Sequence, residues 1–142
     1  VEANWSRRMA NGWSLAANYT YNRTRVLKNE ADPSVVGNEL PDMPRHKANL
    51  SFTYEPSAGF AVRMKLRAVG SAFTDDANTV VDGRGYRWKK AGYAVLDLAA
   101  TWRRPWWELT LALDNATNRD YVQGFFWHGE PRILRGELIL RY

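Results

Sequence analysis

The chain contains no cysteine, which excludes disulfide bonds and thiolate chemistry. It also lacks any run approaching the ~18 to 20 uncharged apolar residues that a membrane-spanning helix requires, and its mean hydropathy is −0.51. The composition also excludes a disordered chain, because 45% of the 142 residues are hydrophobic and 13% are aromatic. The length suits one domain, which we assign to residues 1–142. Because the chain begins at Val1 without a signal-peptide pattern, we expect a mature segment or a fragment of a longer protein.

What the sequence does contain is an alternation of apolar and polar residues, the pattern of strands with one apolar and one polar face. Six windows carry it clearly and a weaker seventh opens the chain. They are residues 1–6 (the weak one), 13–21, 48–54, 60–68, 94–102, 107–113 and 134–142. The pattern predicts an all-β, antiparallel up-and-down meander of six or seven strands.

The connections between these windows alternate in length. Residues 7–12, 55–59 and 103–106 are short, whereas residues 22–47, 69–93 and 114–133 are long. In a meander, alternate connections lie at the same end, so all short turns fall at one end and all long loops at the other. This asymmetry is typical of outer-membrane barrels, with short periplasmic turns and long extracellular loops.

Aromatic residues cluster on the predicted apolar face at the short-turn end. They are Trp13, Tyr54, Phe60, Trp102, Trp107 and Tyr142. Six aromatics at one level of consecutive strands indicate the girdle that Trp and Tyr form where a barrel meets the membrane interface. The alternative is that they cap the end of a soluble sandwich core.

The charges decide which face meets lipid. Placing Arg63, Lys65 and Arg67 outside would cost on the order of 6 to 12 kcal/mol, since each buried cation costs ~2 to 4 kcal/mol at mid-bilayer. We therefore expect these residues to face the lumen, where they contact a plug or a ligand. Leu96, Leu98, Leu109 and Leu111 should point away from it. A barrel must also close, because open edges leave backbone groups unpaired in lipid, so seven strands indicate an incomplete barrel.

Three stretches resemble motifs of the TonB-dependent outer-membrane receptors. Residues Leu111–Tyr121 (LALDNATNRDY) resemble the penultimate-strand motif of that family. Gly129–Arg132 and the alternating strand that follows resemble its C-terminal signature. Leu40–His46 (LPDMPRH) resembles the start of one of its later strands. The order and spacing of the three stretches are more specific than any one of them.

The resemblance implies the last seven or so strands of a transmembrane barrel of about 22 strands, whose lumen is plugged by an N-terminal domain. It implies import of a scarce ligand, a ferric siderophore above all, with energy delivered by TonB through a part of the parent absent here. Localisation in the bacterial outer membrane, among lipid and lipopolysaccharide, and the absence of a cofactor follow from the same resemblance. Leu140 and Tyr142 fit the family's barrel-assembly signal, although Glu137 stands where that signal usually has glycine.

Two other classes of function compete with a receptor segment, and one of them stays open. A self-contained outer-membrane barrel of eight strands, with a structural or adhesive role, would suit the length, but an eighth strand is not visible. A soluble ligand-carrying barrel is contradicted by the charged inner row. The sequence upstream of Val1 would decide between the first of these and a receptor segment.

Ligand-binding candidates lie in two of the long loops. Arg84, Tyr86, Arg87 and Trp88 combine cations with aromatics, which suits an anionic ferric chelate or lipopolysaccharide phosphates. Phe125, Trp127 and His128 could stack on a ligand or belong to an outer girdle. The net charge of +5 suggests nucleic acid, but we expect no such partner because Arg63, Lys65 and Arg67 line an interior face.

Catalysis and metal binding have little support. The histidines His46 and His128 fall in different long loops, and we expect His46 to have a structural role. The acidic stretch Asp75–Asp82 lacks the spacing of a calcium loop, so we expect a solvated loop there. We therefore predict no enzyme activity, no catalytic residue and no metal site.

Overall fold

The computed structural model describes residues 1–124 and 127–142. Within them lie nine strands and two short 3-10 helices, Ala10–Gly12 and Pro33–Val35. The strands are β1 (Glu2–Arg8), β2 (Trp13–Tyr21), β3 (His46–Ser57), β4 (Phe60–Val69), β5 (Ala72–Phe73), β6 (Lys89–Lys90), β7 (Tyr93–Arg104), β8 (Trp107–Asp114) and β9 (Ile133–Leu140).

Seven of these strands form one antiparallel sheet in the order β1-β2-β3-β4-β7-β8-β9. Each strand of this sheet pairs with the next along the chain, apart from the short β5–β6 ladder, which forms a separate two-stranded sheet inside a long loop. The predicted all-β meander is therefore confirmed. The β5–β6 ladder was not predicted, because two-residue strands are too short to show alternation.

The strand register places the predicted apolar residues on one face. Leu50 lies opposite Ala17 on one side and Leu66 on the other, and Leu66 lies opposite Leu96. The same alignment continues from Leu98 to Leu113 and so to Leu134. Because a slip of one residue would move a whole strand's side chains to the other face, this register fixes the two faces across the sheet.

The apolar face is the exposed one. Leu138 is 60% exposed, and Leu111 and Trp5 on the same face are also exposed. Within the seven-stranded sheet, the buried residues Val95 (1% exposed) and Ala61 lie on the opposite, polar face. Leu96, Leu98, Leu109 and Leu111 do not form a closed core, so this sheet is the reverse of a soluble sandwich, and its large exposed apolar surface suits lipid.

Aromatic rings pack on this face near the short turns, as predicted. The rings of Trp13 and Tyr54 stack at 3.9 Å between centroids, and those of Phe60 and Trp102 lie 5.6 Å apart. At the long-loop end the phenol of Tyr19 lies 2.7 Å from His46 Nδ1, which agrees with a structural role for His46.

One short turn depends on glycine. Gly12 has φ +81°, and a Cβ there would lie 2.0 Å from the carbonyl oxygen of Glu55. The β1–β2 turn therefore lies directly against the end of β3, where the β3–β4 register shifts between Tyr54 and Ser57. A side chain at residue 12 would force this turn and β3 apart.

The ends of the sheet differ slightly from the prediction. β9 ends at Leu140, although the backbone N–H of Arg141 still donates to the carbonyl of Trp106 at 2.9 Å. Tyr142 therefore lies just beyond the strand that it was predicted to end. Within the described residues, no helix is long and apolar enough to cross a membrane.

Candidate ligand-binding site

Three long loops emerge from the same end of the sheet. We call them L1 (residues 22–45), L2 (residues 70–92, which contains β5 and β6) and L3 (residues 115–132). L1 and L2 are joined by the side chain of Asn78, which accepts the backbone N–H of Glu39 at 2.7 Å and donates to its carbonyl at 2.8 Å. Asn38 donates to the carbonyl of Asp76 at 2.8 Å, so these two loops form one connected layer.

L3 is organised by the motif that resembles the penultimate-strand signature. Asn115 is 2% exposed, and its amide group accepts the N–H of Arg119 at 2.8 Å and donates to the carbonyls of Arg119 and Glu130. Tyr121 is buried directly against Gly129, where a Cβ would lie 2.0 Å from the ring. The motif residues therefore close L3 over the end of the sheet, which is a structural role.

The tip of L2 folds around the carboxylate of Asp82. Its Oδ1 accepts the backbone N–H groups of Arg84 and Tyr86, both at 2.9 Å, and its Oδ2 accepts the indole N–H of Trp88 at 3.1 Å. The indole bond first, and then the backbone bonds, hold the pKa of the Asp82 carboxyl below its usual value. Asp82 is therefore an organising residue, which the prediction of a solvated acidic loop missed.

A cavity of about 750 Å³ lies between L2 and L3. We call it the outer cavity. Its lining includes the predicted residues Arg84, Tyr86, Arg87 and Trp88 of L2 and His128 of L3. These five residues come from two loops that are far apart in sequence, so their convergence could not be read from either motif alone. A cavity of this volume is large enough for a small-molecule ligand.

The outer cavity is strongly cationic. Lys89 and Lys90, which lie beside the predicted residues, line it together with Arg84 and Arg87, whereas Asp82 is the single acidic residue among the described residues of its lining. The Asp82 carboxylate accepts N–H donors of its own turn and forms no ion pair with the described arginines, so its single negative charge leaves the lining with an excess of positive charge. Such a concentration of positive charge with aromatic side chains favours an anionic ligand.

The other predicted residues of L3 are placed differently. Trp127 is 76% exposed and does not line the outer cavity. His128 Nδ1 lies 2.9 Å from the carboxylate of Asp120, at the surface. Phe125 lies outside the described residues. Among the residues that the structure describes, there is no group of three His, Cys, Asp or Glu side chains that could hold a metal ion.

The polar face carries three cations of β4, as predicted. We call Arg63, Lys65 and Arg67 the β4 column. Arg63 and Lys65 are exposed, and neither forms an ion pair with a described residue. Lys65 stands opposite Asp97 of β7, but that carboxylate accepts the backbone N–H of Asn115 at 2.9 Å. Arg67 Nη2 donates to the hydroxyl of Tyr121 at 3.3 Å, which links the top of the column to L3.

The sequence matches known receptors over most of its length. A family model for the β-barrel of TonB-dependent receptor-like proteins matches residues 1–118. An uncharacterized TonB-dependent receptor of Haemophilus influenzae is 33% identical over 54 residues, which are 38% of this chain and 16% of that protein. The chain therefore spans only a small part of this relative.

Solved structures share the fold. The ferric citrate transporter FecA in its unliganded form matches with a TM-score of 0.75 and 20% identity, over 90% of this chain and 21% of that one. The ferric-catecholate receptor Fiu of Escherichia coli K12 matches with a TM-score of 0.73 and 22% identity, over 96% and 19%. The ferric yersiniabactin receptor FyuA of Yersinia pestis matches with a TM-score of 0.71 and 23% identity, over 96% and 21%.

Proposed function

Since the chain belongs to the TonB-dependent receptor β-barrel family, we propose that it is the C-terminal part of a receptor barrel that imports a ferric siderophore. The chain is part of an outer-membrane β-barrel and not an enzyme. Its apolar face then meets lipid, its polar face lines the lumen, and L1, L2 and L3 lie outside the cell. Family membership also favours this function over a self-contained barrel of eight strands.

The observation that carries the ligand proposal is the outer cavity. Ferric siderophores with carboxylate or catecholate groups are anionic, and the cavity lining offers four cationic side chains beside Tyr86 and Trp88. Receptors of similar fold are named for ferric citrate, ferric catecholates and ferric yersiniabactin. These names support a ferric chelate as the ligand class.

Binding to the purified full-length receptor tests this proposal. We expect tryptophan fluorescence to report saturable binding of an anionic ferric chelate, and the double variant R84A/R87A to bind it about a hundredfold more weakly, at about tenfold for each charged hydrogen bond lost. The matched control is R23A, which removes a cation from exposed residue 23 of L1, outside the outer cavity. Equal losses in both variants, or no binding of any anionic chelate to the wild type, would contradict the proposal.

The polar face supplies the second part of the proposal. Arg63, Lys65 and Arg67 have no carboxylate partner among the described residues of the sheet. We infer that acidic groups of the plug domain pair with them in the parent, which also contacts TonB through its N-terminal part and lipopolysaccharide through its outer surface. The other role that these three cations suit is electrostatic attraction of an anionic ligand into the lumen.

Charge reversal tests the plug contact. In the full-length receptor, R63E should loosen the plug and make cells more sensitive to large antibiotics that the outer membrane excludes. The outer-membrane level of the receptor should stay unchanged, because Arg63 stands opposite Thr53 and Ala99 and not opposite a carboxylate. Unchanged sensitivity would count against the plug as partner.

A further inference from the structure

Lys90 is the residue at which the three loops meet. It lies in β6 of L2, and its ammonium group forms an ion pair with Asp42 of L1 and donates to the carbonyl of Gln123 in L3 at 3.2 Å. The Lys90 side chain is only 12% exposed, whereas that of Asp42 is 51% exposed. The cation is therefore largely removed from water while its partner is half solvated.

Lys90 also stands between two cavities. With Ala91 and Val122 it lines both the outer cavity and a second cavity of about 230 Å³. The second cavity extends to Lys47 and Tyr93, at the long-loop end of the sheet. Lys90 therefore lies where the outer cavity adjoins the cavity at the long-loop end of the sheet.

The ion pair with Asp42 is exchangeable. A half-exposed carboxylate regains water when it leaves its partner, so a pair of this kind is worth no more than about 1 kcal/mol. The largely buried ammonium, in contrast, needs an acceptor at all times. Asp42 would also stay in place without Lys90, because its backbone N–H donates to the carbonyl of Phe73 at 2.8 Å.

We propose that Lys90 determines specificity at the base of the outer cavity, where an anionic group of the ligand displaces Asp42 as its partner. The inference rests on the proposed function, since it assumes that the outer cavity is the ligand site. It adds that Asp42 competes with the ligand for one cation. Ligand binding then detaches the Asp42 side chain of L1 from Lys90 of L2, while the Asn78–Glu39 bonds keep L1 attached.

Competition predicts opposite effects for the two partners. In the full-length receptor, D42N should bind an anionic chelate up to about fivefold more tightly, because it removes a competitor worth no more than about 1 kcal/mol. K90M should bind about tenfold more weakly, because it removes a charged donor. The double variant D42N/K90M should bind no more tightly than K90M, because the cation for which Asp42 competes is gone. The single variant K90R, which keeps the positive charge, should bind with most of the wild-type affinity.

Two controls separate competition from general electrostatics. D76N removes a carboxylate from an exposed position of L2 that has no contact with Lys90, and its affinity should stay near that of the wild type. K89M removes the neighbouring cation, whose Nζ lies 4.6 Å from the ring centroid of Phe73. D42N should still improve binding in the K89M background, since Lys90 is intact there.

Ferric citrate and iron-free citrate are suitable probes, with tryptophan fluorescence as the readout. Opposite signs for D42N and K90M with either probe support the inference. If only iron-free citrate binds, with opposite signs, the inference stands while the ferric ligand of the proposed function fails. Binding of ferric citrate with D42N and K90M shifted in the same direction would reduce Lys90 to a structural link and leave the proposed function intact. Absence of binding with both probes would overturn the inference.

Discussion

The polar face of the sheet carries cations in two regions that are treated differently. At the short-turn end, Arg103 of β7 donates to Glu55 at 2.7 Å, and Arg141, which follows β9, donates to Glu108 of β8 at 2.8 Å. On β4 the exposed cations of the column have no ion-pair partner among the described residues. These ion pairs therefore stabilise the sheet near its short turns. The cations of the β4 column remain available to pair with a group that does not belong to the sheet.

On β1, β2 and β3 the polar face is stabilised by hydrogen bonds between side-chain amides. Asn49 donates to Asn18 at 3.2 Å, and Asn18 donates to Asn4 at 2.6 Å, along three neighbouring strands. This amide ladder satisfies its own hydrogen bonds, as the arginine–carboxylate pairs do. Arg8 and Lys47 on this face also lack an ion pair among the described residues, but β4 brings three such cations, Arg63, Lys65 and Arg67, together on one strand.

We expect the largest change in the free energy of unfolding when a charged side chain is placed on the apolar face of the sheet. Leu98 lies in the middle of β7 on the apolar face, so L98R should lower the free energy of unfolding of the full-length receptor in bilayers by ~2 to 4 kcal/mol. Urea titration in lipid vesicles measures this. The matched control A16R places the same side chain on the polar face, at an exposed position between Ser6 and Ser51, and should cost much less. A similar loss in both variants would remove the distinction between the faces.

A smaller change in the free energy of unfolding is expected when a paired charge is removed, and a still smaller one when an unpaired charge is removed. Glu108 is 18% exposed and lies within ion-pair distance of both Arg103 (3.6 Å) and Arg141 (2.8 Å). Loss of one partner from a well-buried pair costs several kcal/mol, and the partial exposure here reduces the expected loss for E108Q to about 1 to 2 kcal/mol. K65Q should change the same unfolding free energy by less than about 0.5 kcal/mol. Equal values for the two variants would mean that the arginine pairs do not stabilise the sheet.

The smallest effect concerns pH. The lowered pKa of Asp82 means that its contribution to the L2 turn is complete above the usual carboxyl value of about 3.9 and is lost only as the pH falls through the lowered pKa. Hydrogen exchange at Arg84 and Tyr86, corrected for the intrinsic rate, should therefore show the same protection at pH 5 and pH 8. D82N should lose this protection at both values. Protection in the wild type that already falls at pH 5 would contradict this role.

The sequence predicted the sheet well because each long strand carries its own alternation. The bounds of β2 were predicted without error, and those of β4 within one residue, since lipid on one side and polar groups on the other constrain every position. The site was predicted only in part. Arg84 to Trp88 were identified from composition, but the roles of Asp82 and Lys90 depend on turn geometry and on contacts between loops far apart in sequence. No local pattern contains such contacts.

The most direct test of the central claim compares two adjacent residues of β4. Lys65 and Leu66 lie on opposite faces, and this segment has no cysteine of its own. Spin labels at K65C and L66C of the full-length receptor in bilayers would report the accessibility of each face to oxygen, which concentrates in lipid, and to a water-soluble nickel chelate. We expect a label in contact with lipid at residue 66 and a label shielded from lipid at residue 65. A label in contact with lipid at residue 65 and a shielded label at residue 66 would contradict this expectation.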